Sequence, residues 1–153
     1  MTDNAATRAM VAAGIAHEVV EYGRASSVED AAERRGVPLH SVIKSIVVRR
    51  GEGDLLIVLV PGDRVIDWTK LRAHLGVSRM SLADAEEAFA ATGYRPGTIT
   101  PFGSATPLPV IADASIEDLA SIGGGAHGVA INLDAGDLIR HLGATVAEVT
   151  RPA

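Results

Sequence analysis

A lysine within an apolar segment is the first residue of this chain that could do chemistry. Lys44 lies within Val42-Ile43-Lys44-Ser45-Ile46-Val47-Val48, whose β-branched residues predict a strand. Because side chains alternate along a strand, Lys44 shares a face with apolar neighbours. Burying an unpaired ammonium is costly. The position therefore indicates either a ligand for the ammonium or a strand-end lysine whose stem covers the core while its head reaches water.

Lysine is also a rare choice in this chain. Of the 14 basic residues other than histidine, only Lys44 and Lys70 are lysines, and the rest are arginines. Where a positive charge alone is needed, the sequence usually has arginine, which makes Lys44 more conspicuous.

A glycine-rich segment, Gly123–Gly128, is the second candidate. It matches the pattern GxGxxG, but it leads into a predicted strand at Val129–Leu133 and not into a helix, which argues against a dinucleotide-binding fingerprint. Two interpretations stay open. The glycines could let backbone N–H groups approach a ligand closely, or they could form a β-turn or bulge.

Several kinds of catalytic site are excluded by the residues themselves. The chain has no cysteine, and it contains no GxSxG, HExxH or complete P-loop motif. The histidines show no metal-ligand spacing, at His17, His40, His74, His127 and His141. We therefore expect no metal and no cofactor. An enzyme built from this sequence would work by positioning and electrostatics, with a lysine and backbone amides.

Length and charge narrow the class of protein. The 153 residues suit one domain spanning 1–153. A net charge of −5 argues against binding along a long nucleic acid but leaves contact with one RNA end open. We interpret the small basic clusters as solvated ends of helices and strands and not as phosphate sites, at Arg34-Arg35, Arg49-Arg50 and Lys70/Arg72/His74/Arg79. Without a signal peptide or an apolar run of membrane length, a cytoplasmic protein is expected, with no membrane partner.

The elements that must position these residues predict an α+β fold. Capping residues and glycines predict helices at about 5–13, 27–36, 68–75, 82–91 and 134–142, with a helical turn at 116–120. Strands are predicted at 17–22, 42–50, 55–60, 110–112, 129–133 and 145–149, with a hairpin turn at 51–54. This order favours a mixed, mostly antiparallel sheet flanked by helices. The turn-rich region 94–109 is typical of a functional loop.

Three segments in the right order resemble the YbaK/ProX family, free-standing relatives of the editing domain inserted in bacterial prolyl-tRNA synthetase. The first is the strand Val42–Val48 with its lysine. The second is Ala91–Gly103, which fits the Gly-x-x-x-Pro loop of the family at Gly97–Pro101. The third is Gly124–Leu138, which is similar to its glycine turn, strand and acidic helix start.

The resemblance implies a deacylase that hydrolyses mischarged tRNA in trans, with tRNA-Pro carrying Cys, Ala or a similar small amino acid as the expected substrate. Lys44 would contact the phosphate of the acceptor end, and the Gly97 N–H would lie near the scissile carbonyl. The other substrate-binding positions that the resemblance implies are Tyr22, Ser45, Thr98, Pro101, Gly123, Gly124, Gly125 and Asp137. In this family the protein offers no nucleophile, so water or a hydroxyl or thiol of the substrate attacks.

Two departures leave the amino acid open. Some members of the family carry serine where this chain has Gly123, and the segment between Tyr22 and the second helix is short. The acidic balance predicts help with tRNA capture, from prolyl-tRNA synthetase or an elongation factor. Two alternatives remain beside the deacylase: a non-catalytic module that binds the tRNA acceptor end or a nucleotide, and a small-molecule esterase.

Overall fold

The computed structural model describes residues 3–153, which form five α-helices and ten β-strands. The helices are Ala5–Ala13 (α1), Val28–Arg35 (α2), Trp68–Leu75 (α3), Ala85–Thr92 (α4) and Ala135–Leu142 (α5). The strands are His17–Glu21 (β1), Ile43–Gly51 (β2), Asp54–Pro61 (β3), Arg64–Ile66 (β4), Ser81–Leu82 (β5), Val110–Asp113 (β6), Leu119–Gly123 (β7), Val129–Asp134 (β8), Thr145–Ala147 (β9) and Thr150–Pro152 (β10).

Local capping explains why the helix boundaries follow from the sequence. The Asn4 side chain accepts a hydrogen bond from the Thr7 N–H, while the Thr7 hydroxyl accepts one from the Asn4 N–H, which closes a capping box at α1. The remaining helices begin at capping side chains of Ser27, Asp67, Asp84 and Asp134. Each helix ends at a glycine in the left-handed conformation, at Gly14, Gly36, Gly76, Gly93 and Gly143.

The sheets are mixed, with most strand pairs antiparallel, as the sequence predicts. The largest sheet has the order β5-β2-β3-β6-β9, in which β2 and β3 form an antiparallel hairpin while β6 runs parallel to β3 and β9. A second, antiparallel sheet has the order β1-β8-β7, and β10 pairs with β4. A single parallel bridge between Val42 and Ser121 connects the two larger sheets.

Apolar cores cover both faces of the central hairpin. On one face Ile43, Val47 and Leu59 pack in a cluster that also takes in side chains of the three-stranded sheet, α1 and α5. On the other face Val48 and Val60 pack beneath Leu71 of α3. Because alternate residues of β2 face opposite cores, Lys44 projects on the side that α3 and β4 cover.

The structure corrects three predictions about the elements. The helical turn predicted at 116–120 is wrong, because Leu119–Gly123 forms strand β7, which pairs with β8 just after Asp118, a residue with φ of +60°. Leu82 pairs with Val48 in β5, so α4 begins later than predicted, after the Asp84 cap. The final strand predicted at 145–149 ends earlier, at Ala147 in β9, and the three-residue strands β4 and β10 were missed.

Candidate functional site

A cavity of about 440 Å³ opens where the N-terminal end of β2 meets the three-stranded sheet. Helix α2 covers one side, and the loop that contains Gly97 covers another. Its polar and glycine lining comprises Tyr22, Arg24, Ser27, Arg35, Lys44, Ser45, Gly97, Gly123, His127 and Gly128. Five residues predicted from the sequence thus lie in one wall, namely Tyr22, Lys44, Ser45, Gly97 and Gly123.

The cavity meets β2 at the edge of the strand. Lys44 and Ser45 point to opposite faces, yet both line the cavity, as do Val42 and Ile43. This part of β2 pairs with β3 on one side only, because β5 pairs with Val48 and Arg49 further along. The Ser45 hydroxyl is buried and has no hydrogen-bond partner within the described part of the chain. An unsatisfied buried hydroxyl at a cavity wall is available to a ligand.

Lys44 is partly buried and held by a backbone oxygen. Its Nζ donates a hydrogen bond of 2.6 Å to the carbonyl of Arg64 in β4. Burial lowers the pKa of Lys44, while the carboxylates of Asp63 and Glu29 act in the opposite direction. With a single backbone acceptor among the described residues, the ammonium keeps donor capacity for an anion.

The carbonyl that holds Lys44 is itself fixed from the C-terminal part of the chain. Arg64 Nε donates to the Thr150 hydroxyl at 2.6 Å, and Arg64 Nη2 donates to the Thr150 carbonyl at 3.2 Å. Asp113, which is only 3% exposed, lies 3.9 Å from Arg64 Nε. Burial alone would raise the pKa of Asp113, but hydrogen bonds from Ser115 and Val149 outweigh burial and lower it. The Asp113 carboxylate is therefore a charged anchor beneath β4.

Arg35 is the most informative residue that the sequence reasoning missed. Its guanidinium lies 4.8 Å from the centroid of the Tyr22 ring and donates a 3.1 Å hydrogen bond to the Tyr22 hydroxyl. It also donates to the carbonyl and the hydroxyl of Ser121, at 3.1 and 3.3 Å. Arg35 thereby ties α2 and β7 to Tyr22. Its position on the helix does indicate an inward-facing side chain, because Arg35 lies one helical turn after the buried Ala31.

Gly97 and His127 face each other across the mouth of the cavity. A Cβ added at Gly97 would lie 3.6 Å from His127 Cε1, and the φ of +87° favours glycine at this position. The Gly97 N–H makes no hydrogen bond within residues 3–153. It is therefore a free backbone donor at the cavity wall, and it is held in place by a turn in which the Thr98 N–H donates to the Arg95 carbonyl.

The cavity wall is positively charged although the chain is acidic overall. Arg24, Arg35 and Lys44 all line it, and none of the described residues in the wall carries a carboxylate. Positive side chains, a buried hydroxyl and a free backbone N–H together suit an anionic ligand that also carries a carbonyl or hydroxyl group. Arg35 contacts both the hydroxyl and the ring of Tyr22, and the ring is thereby fixed for stacking on a planar group of a ligand.

Five predicted site residues lie outside the wall. Gly124 shapes the turn, since its N–H donates to Val129 and its carbonyl accepts from Asn4, and Gly125 packs against Asn4 and Ala6. The Thr98 hydroxyl donates to the Arg95 carbonyl. Asp137 lies on α5, pairs with Arg140 and lines a different cleft. Neither Thr98 nor Pro101 lines the cavity.

Two further observations concern the described residues. No group of three or more His, Asp or Glu side chains among them is arranged to hold a metal ion. None of the helices formed by residues 3–153 combines the length and the apolar character needed to cross a membrane.

Comparison with known proteins gives a consistent result. A family model described as an aminoacyl-tRNA editing domain matches residues 23–141, which include Lys44, Gly97 and the glycine turn. The chain is similar to proline–tRNA ligase of Xanthomonas campestris pv. campestris, with 34% identity over 122 residues, which is 80% of this chain and 22% of the ligase. It is also similar to proline–tRNA ligase of Trichlorobacter lovleyi, with 33% identity over 66% of this chain and 18% of the ligase. The chain thus spans about a fifth of the length of the curated relatives that it matches.

Solved structures agree over nearly the whole chain. A crystal structure described as a candidate trans-editing enzyme for prolyl tRNA synthetase superposes with a TM-score of 0.89 and 26% identity, and the match covers 99% of both chains. A crystal structure of a hypothetical protein has a TM-score of 0.86 at 23% identity, covers 97% of this chain and 100% of that one, and shows the shared fold.

Proposed function

Because the chain belongs to the YbaK-like family of aminoacyl-tRNA editing domains, we propose that it hydrolyses the ester bond of a mischarged aminoacyl-tRNA in trans. The proposed substrate is tRNA-Pro carrying Cys, Ala or a similar small amino acid. The similarity to a candidate trans-editing enzyme over 99% of both chains supports the proposed activity, and we assign residues 1–153 to one editing domain.

One observation carries the proposal. Lys44, Gly97 and Tyr22 lie far apart in the sequence, yet they line one cavity whose wall has cations and lacks carboxylates among its described residues. The 3′ end of an aminoacyl-tRNA presents an adenine ring, a phosphate and an ester carbonyl. The cavity offers a partner for each: the Tyr22 ring, the Lys44 ammonium and the Gly97 N–H.

The proposed binding mode follows from these contacts. Lys44 binds the phosphate next to the terminal adenosine, and this pairing offsets the cost of a partly buried ammonium. Tyr22 stacks on the adenine with its ring fixed by Arg35. Ser45 follows Lys44, and its hydroxyl, which has no hydrogen-bond partner within residues 3–153, would bind a polar group of the substrate. At Gly123, where some family members carry serine, an added Cβ would lie 2.9 Å from the Ile99 carbonyl oxygen, so glycine allows a close approach of this loop to the wall.

Catalysis would rest on electrostatics. When a nucleophile attacks the ester, negative charge develops on the carbonyl oxygen, and the Gly97 N–H is placed to donate to it. As the resemblance to the family implies, the attacking group is water or a hydroxyl or thiol of the substrate, and neither a cysteine nor a carboxylate lies among the described residues of the wall. Thr98 and Pro101 would act indirectly by fixing the loop that positions Gly97. Gly124 and Gly125 would do so by shaping the glycine turn, and no role at the cavity is proposed for Asp137.

The test is a panel of mischarged tRNAs. Release of labelled amino acid is followed at micromolar protein for tRNA-Pro and other tRNAs charged with Cys, Ala, Ser and Pro. Lys44→Ala removes a charge-assisted contact of about 1.5–3 kcal/mol, which corresponds to a rate about 10- to 160-fold lower. Lys70→Ala is the matched control, because Lys70 is the other lysine of the chain and is exposed on α3. If every mischarged tRNA in the panel stays intact, the proposed hydrolysis is refuted.

A second function has one observation in its favour. The cavity wall offers donors and a stacking ring, and neither a cysteine nor a carboxylate lies among its described residues, so it could hold a tRNA acceptor end or a nucleotide without turnover. This alternative predicts that a CCA-ended oligonucleotide binds, that Lys44→Ala weakens the binding, and that every member of the panel stays intact. A pulldown with purified prolyl-tRNA synthetase, with and without tRNA, tests the proposed partner.

A further inference from the structure

A second cleft, of about 650 Å³, lies at the opposite end of β2 from the cavity. Three separate segments form it: the end of β2, helix α3 and the segment before β5. They bring together Arg49, Arg50, Arg72 and Arg79, which we call the arginine cleft. The chain has 14 Lys and Arg residues against 19 Asp and Glu, so four arginines in one cleft are a strong local excess of positive charge.

Neutralisation within the cleft is incomplete. Arg50 forms an ion pair with Asp54 at 3.0 Å, and Arg49 lies 3.6 Å from Glu87. Within the described part of the chain, Arg72 and Arg79 have no carboxylate within 4 Å, and no acidic residue lines the cleft. Arg72 donates only to the Thr69 hydroxyl, at 3.4 Å.

An orphan donor points to a missing acceptor. The Nε of Arg50 is buried and has no hydrogen-bond partner within residues 3–153. Buried donors are nearly always satisfied, and a phosphate oxygen is an acceptor that a guanidinium recognises well. Ser78 and Ser81 add hydroxyl donors to the same cleft. This donor set fits the phosphates of a nucleic acid backbone.

The spacing between cavity and cleft fits one continuous RNA. Lys44 and Arg50 are six steps apart on β2, and at about 3.3 Å per residue this separates them by about 20 Å. The register of β2 shifts between Arg49 and Gly51, and Arg49 and Arg50 both line the cleft. At about 3.4 Å per stacked nucleotide, 20 Å corresponds to about six nucleotides. With a terminal adenosine in the cavity, the cleft meets phosphates just beyond the unpaired end.

We propose that the arginine cleft binds the backbone phosphates of the first base pairs of the tRNA acceptor stem. This inference rests on the proposed function for the position of the RNA end. It also explains how an acidic chain captures tRNA, because the contact is local and independent of sequence.

The experiment measures equilibrium binding of uncharged tRNA over a series of salt concentrations. The variant is Arg72→Gln/Arg79→Gln, which removes two charges outside the cavity. Each phosphate contact contributes about 0.9 to the slope of log K against log salt, so the slope falls by about 1.8 and the affinity at 0.1 M salt falls by up to about 60-fold. The matched control is Arg8→Gln/Arg140→Gln, which removes two exposed charges from α1 and α5 and leaves both values unchanged.

Two short RNAs separate the cleft from the cavity. The trinucleotide CCA is too short to reach the cleft, so Arg72→Gln/Arg79→Gln leaves its affinity unchanged while Lys44→Ala lowers it. A blunt RNA hairpin without the CCA end shows the reverse pattern. Arg79→Gln alone, at an exposed position, repeats the effect at about half the slope change if the double variant unfolds early in a thermal melt.

Unchanged tRNA affinity and slope in the double variant would overturn the inference, and so would equal weakening of tRNA and CCA. Failure of the proposed function looks different. If the variant weakens tRNA binding while the mischarged panel stays intact, the cleft stands and the deacylase does not. If the panel is hydrolysed while the variant binds tRNA normally, the deacylase stands and the cleft does not.

Discussion

Replacing Arg35 by lysine keeps the positive charge of the cavity wall but removes the hydrogen bonds that connect α2 to Ser121 and Tyr22. The guanidinium makes two hydrogen bonds to Ser121 and one to the Tyr22 hydroxyl, and it stacks near the Tyr22 ring. A lysine ammonium cannot reproduce this fork. Both Ser121, which is fully buried, and Tyr22 would lose donors in Arg35→Lys.

The expected cost follows from the groups left without partners. Leaving a buried hydroxyl and carbonyl unsatisfied costs about 1–3 kcal/mol. For a domain of about 150 residues, each kcal/mol lowers Tm by about 2–4 °C. Because Tyr22 also loses its support, the affinity for CCA should fall although the net charge is unchanged.

Arg34→Lys is the matched control, since Arg34 is the neighbouring residue on α2 and makes an exposed ion pair with Asp30. Because this pair is exposed and lysine keeps its positive charge, the control should unfold close to the wild-type temperature. The two variants are compared by thermal unfolding and by binding of CCA. The reasoning fails if Arg35→Lys unfolds together with Arg34→Lys, or if it binds CCA like the wild type.

Two more predictions concern stability. In Gly124→Ala the new Cβ would lie 2.5 Å from Val129 Cγ1 and 2.9 Å from its carbonyl oxygen, so the free energy of unfolding should fall by about 1–3 kcal/mol. Gly51→Ala, which meets nothing within 4 Å, should leave it nearly unchanged in the same denaturant titration. Both ring nitrogens of His40 face acceptors, the Ser115 carbonyl at 2.8 Å and the Asp63 carboxylate at 2.7 Å, so the protonated ring donates a hydrogen bond to each. The Ser115 carbonyl, and then Asp63, raise the pKa of His40. Its contribution to stability is therefore fully present below the usual histidine pKa and is lost as pH rises through the raised value. Thermal melts of wild type and His40→Asn should differ most at acidic pH and converge at alkaline pH, and a constant difference would contradict this.

Strand periodicity, caps and turn residues were enough to predict most of the fold. The helix Trp68–Leu75 was predicted with its observed ends, because Asp67 caps it and Gly76 ends it. Strand β7 was missed because Ile116–Ala120 contains residues typical of a helix start, whereas pairing with β8, a nonlocal contact, decides its structure. The short strands β4 and β10 likewise exist through their pairing with each other.

The site was predictable where a residue contradicts its local pattern. Lys44 is conspicuous on an apolar strand, and the structure places it in the cavity with Gly97 and Tyr22. Arg35 was interpreted as a solvated helix end, because a basic residue in the last turn of a helix is ordinary. Ala31, one helical turn earlier, marks the buried face of α2, but it is the approach of β7 to α2 that gives the guanidinium its partners. The arginine cleft was missed for the same reason, since its members come from three segments.

Thr150, in the last strand, accepts two hydrogen bonds from Arg64, and the last strand thereby helps to support Lys44. Residues 142–153 lie beyond the part of the chain that the family model matches, yet Thr150 fixes the side chain of the residue whose carbonyl holds the Lys44 ammonium. A fragment trimmed to residues 23–141 would keep every group in the cavity wall except Tyr22. It would also lose the hydrogen bonds from Arg64 to Thr150 that support Lys44. The functional unit is therefore longer than the part of the chain that the family model matches.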